Sequence, residues 1–460
     1  MKIEITPKIR QEFNKNWKEV TANSAYLIPE TIDDFKSLGP FPYFQIEHIW
    51  VYPKDHTSDA IRHLTKLIYK IVEENLFSWP TVYSAIRDEI KLFFTTEQKH
   101  NNDWHLNHLL ESILDKSKKR IFIRSISGLR IEGFEEVRRD TWQIILFTQN
   151  EIDRFGSLET GDEEWRSHVR EYLAKNYKDK VCLLVEAEGD LETAKRKAHS
   201  IALFIVNTLR YFICIHISHT GRVHDVGIIL DEPVISHGLN AFSFDLEKNT
   251  STMFDYGTKF KQKYLLTKED LDTIKSDWSA EKLWGLYEKD EPNDLEASIL
   301  SSISWLGDAH QEMDINSSYV KYWIAIEALL TGHKKDGISA RIKSTIPIMI
   351  SQCSQDLPSK TEVDKAYELR CKVVHCGKQD MIKSNDINKI CAWTTQCLSI
   401  CINLLDRGYT SRDQIEFQIN TMNNYKYPNN LLVGTRKLLR APQQYFIRKI
   451  EISNESKRNI

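Results

Sequence analysis

The pattern of apolar and polar positions differs between the two parts of the chain that meet near residue 290. Before this point the periods are mixed. Apolar residues recur at helical spacing over residues 58–76, whereas residues 119–129 alternate between apolar and polar as a strand does. The pattern predicts further helices over 163–177 and 191–213, and further strands over 142–148, 181–185 and 223–230. A mixed α/β amino-terminal region is therefore expected.

After residue 290 almost every segment has helical spacing. Five helices are predicted, over 295–309, 318–331, 338–350, 361–374 and 385–405. Their short connections favour antiparallel neighbours in a bundle. The charged, proline-containing stretch 287–294 predicts an exposed joint in front of them. The expected fold class is thus α+β, with domains at 1–290 (mixed α/β, of one or two subdomains), 291–408 (an all-α helical bundle) and 409–460 (a basic C-terminal extension).

Composition and charge add two limits. The 460 residues are 41% hydrophobic and 28% charged, which is typical of a globular protein rather than a disordered one. The net charge of −3 excludes a basic field over the whole molecule, so a nucleic-acid site has to be a local patch. Residues 334–389 contain eleven Lys and Arg against seven acids, whereas 291–320 contain six acids and neither Lys nor Arg. The basic stretch predicts either a surface that follows phosphates or an ordinary solvated face.

Cysteine usage and the apolar segments indicate a cytoplasmic protein. None of the 8 cysteines forms a CxxC pair, and the charged start of the chain lacks the apolar core of an export signal. Reduced thiols in the cytosol are therefore expected. The most apolar segment, 201–217, carries Asn207, Arg210 and His216, which is unsuitable for a membrane span. It is predicted to be a buried helix that passes into a strand, and no membrane association is expected.

Three motifs follow one another in the helical part of the chain. Residues 322–330 read YWIAIEALL, residues 338–342 read ISARI, and residues 367–378 read YELRCKVVHCGK. An aromatic helix with a Glu-Ala-Leu element, an Ile-x-x-Arg helix and then Arg-x4-His before a glycine resembles the HEPN family, and in this order its ApeA-like branch. The resemblance covers about a quarter of the chain. Arg-x4-His alone is common by chance, and the ordered combination makes the resemblance specific.

The resemblance implies a metal-independent endoribonuclease, without a cofactor, that dimerises through these helices and uses Arg370 and His375 as catalytic residues. The residue types suit this chemistry. RNA supplies its own nucleophile, the 2′-hydroxyl, and a histidine titrates near neutrality, so it can accept or donate the protons. Arginine stays charged and offers a planar fork to the phosphate oxygens.

The resemblance also implies a biological role. The expected substrate is RNA, such as host tRNA, and the expected setting is anti-phage abortive-infection defence. One effector motif attached to a large region without motifs suits a regulated enzyme. Residues 1–290 are therefore expected to act as a sensor that holds the nuclease in check until a trigger, such as a phage-derived protein, binds.

The spacing of Arg370 and His375 sets a geometric condition. Positions five apart on a straight helix lie about 140° apart, so the pair converges only if the helix ends near Val374. Gly377 favours such an end. A dimer would bring two such pairs into one cleft and supply two histidines for the acid and base steps. Dimerisation is therefore part of the expected mechanism.

Six further residues are predicted to assist. Glu327 lies on the apolar side of its helix and needs a partner, for which Arg341 and Arg370 are the candidates. A structural ion pair is the alternative to a catalytic role. Tyr367, one turn before Arg370, can orient it, stack on a base or pack in the core. Cys371 departs from the family pattern, in which Asn or Asp is common at this position. The basic residues expected to bind RNA are Lys343, Lys372 and Lys378.

Other candidates are weaker. His105, His108 and Glu111 are three apart and could share a helix face as metal ligands, but a polar helix start is the preferred alternative and no metal is predicted. The basic tail over 435–460 could grip RNA or dock onto the protein. Two other functions stay open. One is a catalytically inactive HEPN protein that serves as a dimerising scaffold or nucleotide-binding module, and the other is the toxin of a toxin–antitoxin pair.

Overall fold

The chain divides into two compact units. Unit 1 comprises residues 1–122 and 185–200, and unit 2 comprises residues 123–184 and 201–460. The structure is a computed structural model. It describes residues 5–22, 26–27, 44–46, 49–72, 76–96, 100–158, 162–217, 223, 225–231, 240–245, 250–255, 260, 263–276, 279–331, 337–351, 358–376 and 381–425.

Unit 1, in its described part, combines four complete helices and the start of a fifth with a small antiparallel sheet. The helices are α1 (Pro7–Val20), α2 (Asp55–Ile71), α3 (Trp79–Thr95) and α4 (Asn102–Leu114); the strands are β1 (Tyr26–Leu27), β2 (Phe44–Ile46) and β3 (Ile49–Pro53), in the order β1-β3-β2. Ser78 caps α3 by accepting a hydrogen bond from the Thr81 amide. The apolar faces of the helices close over one core, which includes Trp17, Leu64 and Leu109.

Nine further strands are described, most of them in unit 2, while the strands at 118–127 and 181–189 have residues in both units. They are β4 (Lys118–Ser127), β5 (Leu129–Glu132), β6 (Glu136–Arg138), β7 (Trp142–Leu146), β8 (Val181–Gly189), β9 (Ile229–Leu230), β10 (Asn240–Asp245), β11 (Thr250–Asp255) and β12 (Tyr264–Thr267). A five-stranded sheet has the order β6-β7-β8-β4-β9, while β5 pairs in parallel with β12 and β10 with β11 in antiparallel. Helices α5 (Gln149–Ser157) and α6 (Glu163–Tyr177) cover apolar strand residues such as Ile145 and Leu184.

Nine more helices are described after β8. They are α7 (Leu191–Ile217), α8 (Lys268–Ser276), α9 (Ala280–Tyr287), α10 (Asp294–Gln311), α11 (Ile315–Leu330), α12 (Ile338–Ser351), α13 (Lys360–Cys376), α14 (Ser384–Asp406) and α15 (Arg412–Tyr425). Helices α10 to α14 are the five predicted after residue 290, and α11 packs against both α10 and α14. The predicted α+β class, a mixed region followed by helices, is confirmed. The tail segment 435–460 lies outside the described residues.

Helix α7 joins the helical core of unit 2. Its last seventeen residues belong to this unit. The Tyr211 hydroxyl lies 2.8 Å from Ser399 Oγ on α14, and Cys214 Sγ lies 3.3 Å from His310 Nδ1 on α10. The predicted change from helix to strand within 201–217 is wrong, because this buried face stays helical to Ile217. The predicted boundary at residue 290 lies inside unit 2.

The same helix is long and apolar enough to cross a membrane by length and composition alone. However, 83% of its most apolar window is buried inside the protein. Arg210 in its middle is fully buried, and burial lowers the pKa of this guanidinium to about 10. Burial of this kind is typical of a core helix rather than of a span.

Candidate functional site

Helices α11 and α13 carry the predicted catalytic and supporting residues, and local capping fixes where each begins. Asp314 accepts a hydrogen bond from the Ser317 amide at 2.8 Å and so caps α11. Before α13, the Ser359 amide donates to Glu362 Oε2 at 3.0 Å, and the Glu362 amide donates back to Ser359 Oγ at 3.1 Å. This reciprocal pair is a capping box, which sets the register of the residues that follow.

Aromatic contacts hold α13 against α11. The rings of Trp323 and Tyr367 meet edge to face with centroids 5.3 Å apart, and the Tyr319 hydroxyl donates to the Ala366 carbonyl at 2.8 Å. Trp323 is fully buried and Tyr367 is 8% exposed, so these rings form part of the bundle core. Three residues after Tyr367, Arg370 consequently faces α11 rather than open solvent.

Arg370 and Glu327 form the polar centre of the site. Arg370 Nη2 lies 3.3 Å from Glu327 Oε1 and 3.4 Å from Oε2, and the Tyr367 hydroxyl donates to Oε1 at 3.5 Å. Burial raises the pKa of the Glu327 carboxyl, and the nearby Arg370 charge and Tyr367 hydroxyl counteract this only in part. Of the two partners considered for Glu327, the structure brings Arg370 to it. Arg341 lies 3.7 Å from Glu416.

The basic residues of the site are placed unequally. The Lys343 ammonium lies 5.8 Å from the centroid of the Tyr367 ring and 3.5 Å from Asp364, while the Arg370 guanidinium lies 5.6 Å from the same ring. Lys343 and Arg370 therefore put two positive charges at one aromatic side chain. Lys372 is exposed on α13. Lys378 lies outside the described residues.

His375 does not converge with Arg370 in one chain. Helix α13 runs through Cys376, two residues beyond the expected end near Val374, so that His375 still lies within the helix. No glycine or proline interrupts the sequence between Arg370 and this point, which explains the continuation. The two residues thus remain about 140° apart around the helix axis. His375 is exposed, and no hydrogen bond or ion pair joins it to another described side chain.

The histidines of α4 contact a buried acid of a neighbouring helix. His105 Nδ1 lies 2.7 Å from Glu89 Oε1, and His108 Nδ1 lies 2.6 Å from Glu89 Oε2. Glu89 comes from α3 and is 2% exposed, while Glu111 stays at the surface. Among the described residues, no group of three or more His, Cys, Asp or Glu side chains is arranged to hold a metal ion. Sequence reasoning missed Glu89 because it lies on another helix.

A groove adjoins the Arg370–Glu327 pair on the side of α10 and α15. It has a volume of about 420 Å³, and Glu327 lines it together with small side chains from α10 and α11 and with Arg412. Arg412 is anchored by Asp294, with Nε 3.1 Å from both carboxylate oxygens, and it donates to the carbonyls of Ala328 and Thr331 at 3.2 and 3.0 Å. Sequence reasoning missed Arg412, although a cation in the first turn of a helix opposes the helix dipole and signals a partner.

Comparisons with protein-family models, with curated proteins and with solved structures find no match for this chain. The likeness to HEPN proteins therefore rests on the ordered motifs of the sequence.

Proposed function

We propose that the protein is a metal-independent endoribonuclease of HEPN type that acts in the cytoplasm on RNA, such as host tRNA, in anti-phage defence. The observation that carries this proposal is that the hydrogen-bonding groups of the Arg370 guanidinium are only partly satisfied within the chain. Its contacts with Glu327 are 3.3–3.4 Å long, and its Nε is buried without a hydrogen-bond partner. A guanidinium held in place but incompletely satisfied is suited to receive the oxygens of a phosphate.

The proposed chemistry is an internal transfer at phosphorus. The 2′-hydroxyl of the RNA attacks the adjacent phosphorus as a histidine accepts its proton, and a second proton goes to the departing 5′-oxygen. The products are a 2′,3′-cyclic phosphate and a 5′-hydroxyl. Arg370 and Lys343 offset the charge that develops on the phosphate oxygens, and Glu327 and Tyr367 orient Arg370. Lys372 is the further contact proposed for the RNA backbone.

The geometry of α13 favours a site shared between two chains. Because Arg370 and His375 diverge within one chain, a homodimer that pairs Arg370 of one copy with His375 of the other provides the complete set. The amino-terminal region would then control when this cleft acts, with a phage-derived protein as the trigger. The same divergence also favours a second candidate function, a catalytically inactive dimerising module, and the following experiments separate the two.

Arg370→Ala and His375→Ala should each reduce cleavage of total tRNA by at least about 100-fold in the presence of EDTA. The readout is the yield of ends that carry a 2′,3′-cyclic phosphate. Lys365→Ala is the matched control, because it removes an exposed cation from the same helix. Undiminished cleavage by the Arg370 and His375 variants would rule out the proposed site.

Mixing the two inactive variants tests the shared site. A heterodimer of Arg370→Ala with His375→Ala contains one cleft with both residues intact and one with neither. We expect activity to return toward a quarter of the wild-type value after subunit exchange, since about half of the dimers are mixed and each has one working cleft. Persistent inactivity of the mixture, with exchange verified by a tagged copy, would show that the pair does not act across the dimer.

A further inference from the structure

We infer that the groove beside Glu327 is a base pocket that receives the guanine of the RNA next to the phosphate bound by Arg370. This inference deepens the proposed function, since it names the nucleotide that the nuclease selects. It rests on that function only for the claim that the guanine belongs to an RNA substrate. Binding of a guanine nucleotide to the groove can be measured without any cleavage.

The groove has the size and the walls that a base requires. Its volume of about 420 Å³ exceeds that of a purine ring system, and its lining includes the apolar surfaces of Ile324, Ala297 and Ala328. The exposed Ser301 lies on one wall, and Glu327, the ion-pair partner of Arg370, also lines the groove. Apolar walls with a few fixed polar groups are typical of small-molecule sites.

Glu327 has unused capacity to accept hydrogen bonds. Its three contacts, two with Arg370 and one with Tyr367, are 3.3–3.5 Å long, at the upper limit for a hydrogen bond. An ionised carboxylate offers about four acceptor positions. Arg370 is likewise incompletely satisfied, with a buried Nε that has no partner. A nucleotide complements both groups, because its base can donate N–H groups to Glu327 and its phosphate can accept from Arg370.

The charges around the groove exclude a phosphate as its occupant. Arg412, the cation that lines it, is already occupied by Asp294 and by the carbonyls of Ala328 and Thr331. Helix α10, which forms one wall, contains neither Lys nor Arg. Arg370, which contacts Glu327, does not belong to the lining of the groove. Inside the groove Glu327 therefore has no unoccupied cation among the lining residues, which repels anions and favours a neutral group with N–H donors.

Guanine fits this requirement better than the other RNA bases. Its N1–H and its 2-amino group are adjacent donors that can meet both oxygens of one carboxylate. Adenine and cytosine place a ring-nitrogen acceptor beside their amino group, and uracil flanks its single N–H with two carbonyls. In each of these three bases a lone pair would face the carboxylate, and this repulsion disfavours binding.

The direct test is calorimetric binding of 3′-nucleotides to the purified full chain. We expect guanosine 3′-monophosphate to bind at least about tenfold more tightly than the adenosine, cytidine and uridine nucleotides. Inosine 3′-monophosphate lacks only the 2-amino group, and its affinity should also fall about tenfold, since a hydrogen bond to a charged group is lost. Equal affinity for guanosine and inosine nucleotides would overturn the inference.

Three variants locate the binding. Glu327→Gln should abolish the preference for guanosine over inosine, because an amide presents only one acceptor oxygen. Ser301→Trp fills the groove from an exposed position and should weaken guanosine binding at least tenfold without touching Arg370. Glu368→Gln, an exposed acid on α13, is the matched control and should bind as wild type. If Ser301→Trp, with its folding verified by circular dichroism, binds guanosine 3′-monophosphate as tightly as wild type, the nucleotide does not bind in the groove.

Sequencing of cleaved RNA ends separates the inference from the proposed function. Cleavage beside guanosine that becomes indiscriminate in Ser301→Trp supports both. Cleavage without a base preference overturns the inference and leaves the nuclease intact. The protein can also bind the guanosine nucleotide selectively and yet cut no RNA. This result supports the groove as a guanine site but overturns its role in substrate selection. It also contradicts the proposed nuclease function.

Discussion

Asp190 shows how one buried acid organises two helices of unit 1. Its Oδ2 accepts hydrogen bonds from the Ser78 amide and hydroxyl, both at 2.7 Å, in front of α3. Its Oδ1 accepts from the Thr193 amide at 2.7 Å, in the first turn of α7. Burial opposes ionisation of this carboxyl, but the hydrogen bonds from Thr81, Ser78 and Thr193 outweigh it and lower its pKa to about 2.

Asp190→Asn should therefore destabilise the protein in a pH-dependent way. An acid whose pKa is lowered on folding stabilises the folded state fully above its ordinary pKa, here 3.8, and loses this contribution as the pH falls toward about 2. We expect the variant to lose roughly 2 kcal/mol of unfolding free energy at neutral pH. Urea denaturation should show the gap to wild type narrowing below pH 3.8. A gap of constant size, or an equal loss in the exposed control Asp88→Asn, would contradict this account.

Residue-level prediction from the sequence succeeded where partners lie on recognisable motifs. Glu327 was expected to need a cation, and Arg370 is the cation beside it. The partner of His105 and His108 was missed, because a sequence contains no signal that Glu89 of another helix will be buried between them. The relation of Arg370 to His375 was missed for a different reason. It depends on whether the helix continues for two residues past Val374, and a single following glycine does not decide that.

At the scale of elements, spacing of apolar residues predicted the helices better than the strands. The five helices predicted after residue 290 lie where the period of 3.6 placed them, because each buries one continuous face, whereas α15 was not predicted. The predicted strand over 223–230 is reduced to Ile229–Leu230, which pairs with Ile126 and Ser127 of β4. Short apolar runs do not reveal which partner they meet, and pairing with a distant strand decides their extent.

Two helical glycines provide a matched test of how α7 packs. A Cβ added at Gly307 of α10 would lie 2.2 Å from Asn207 Oδ1 of α7, whereas one added at Gly285 of α9 would meet nothing within 4 Å. Gly307→Ala should lower the free energy of unfolding by about 1–3 kcal/mol, because Asn207 is also the hydrogen-bond partner of the buried Arg210. Gly285→Ala should raise it by up to about 1 kcal/mol through helix propensity. Chemical denaturation measures both, and effects of equal sign would show that α7 does not approach α10 closely.

For the whole molecule, the two compact units do not coincide with the domains that the sequence pattern predicts. The charged joint at 287–294 marks where the pattern becomes helical, and the sequence identifies it for that reason. The compact units are instead defined by which residues contact one another. The residues of α7 after 200 belong to the same core as α10 and α14. A boundary placed where the pattern changes along the sequence cannot include α7, because the part of this helix that belongs to the core begins ninety residues earlier in the chain.

This shared core predicts how fragments behave. A fragment of residues 291–460 contains every motif of the proposed nuclease but lacks α7, and with it the fully buried Phe212, Ile213 and Cys214. Each large apolar side chain contributes about 1.5–3 kcal/mol when buried, so losing several of them removes a large share of a typical stability of about 5–15 kcal/mol. We expect this fragment to unfold without a cooperative transition in urea, while residues 123–460, which contain all of unit 2, retain one. Equal cooperativity in the two fragments would mean that the helices after residue 290 form a complete core by themselves, and that α7 is only attached to it.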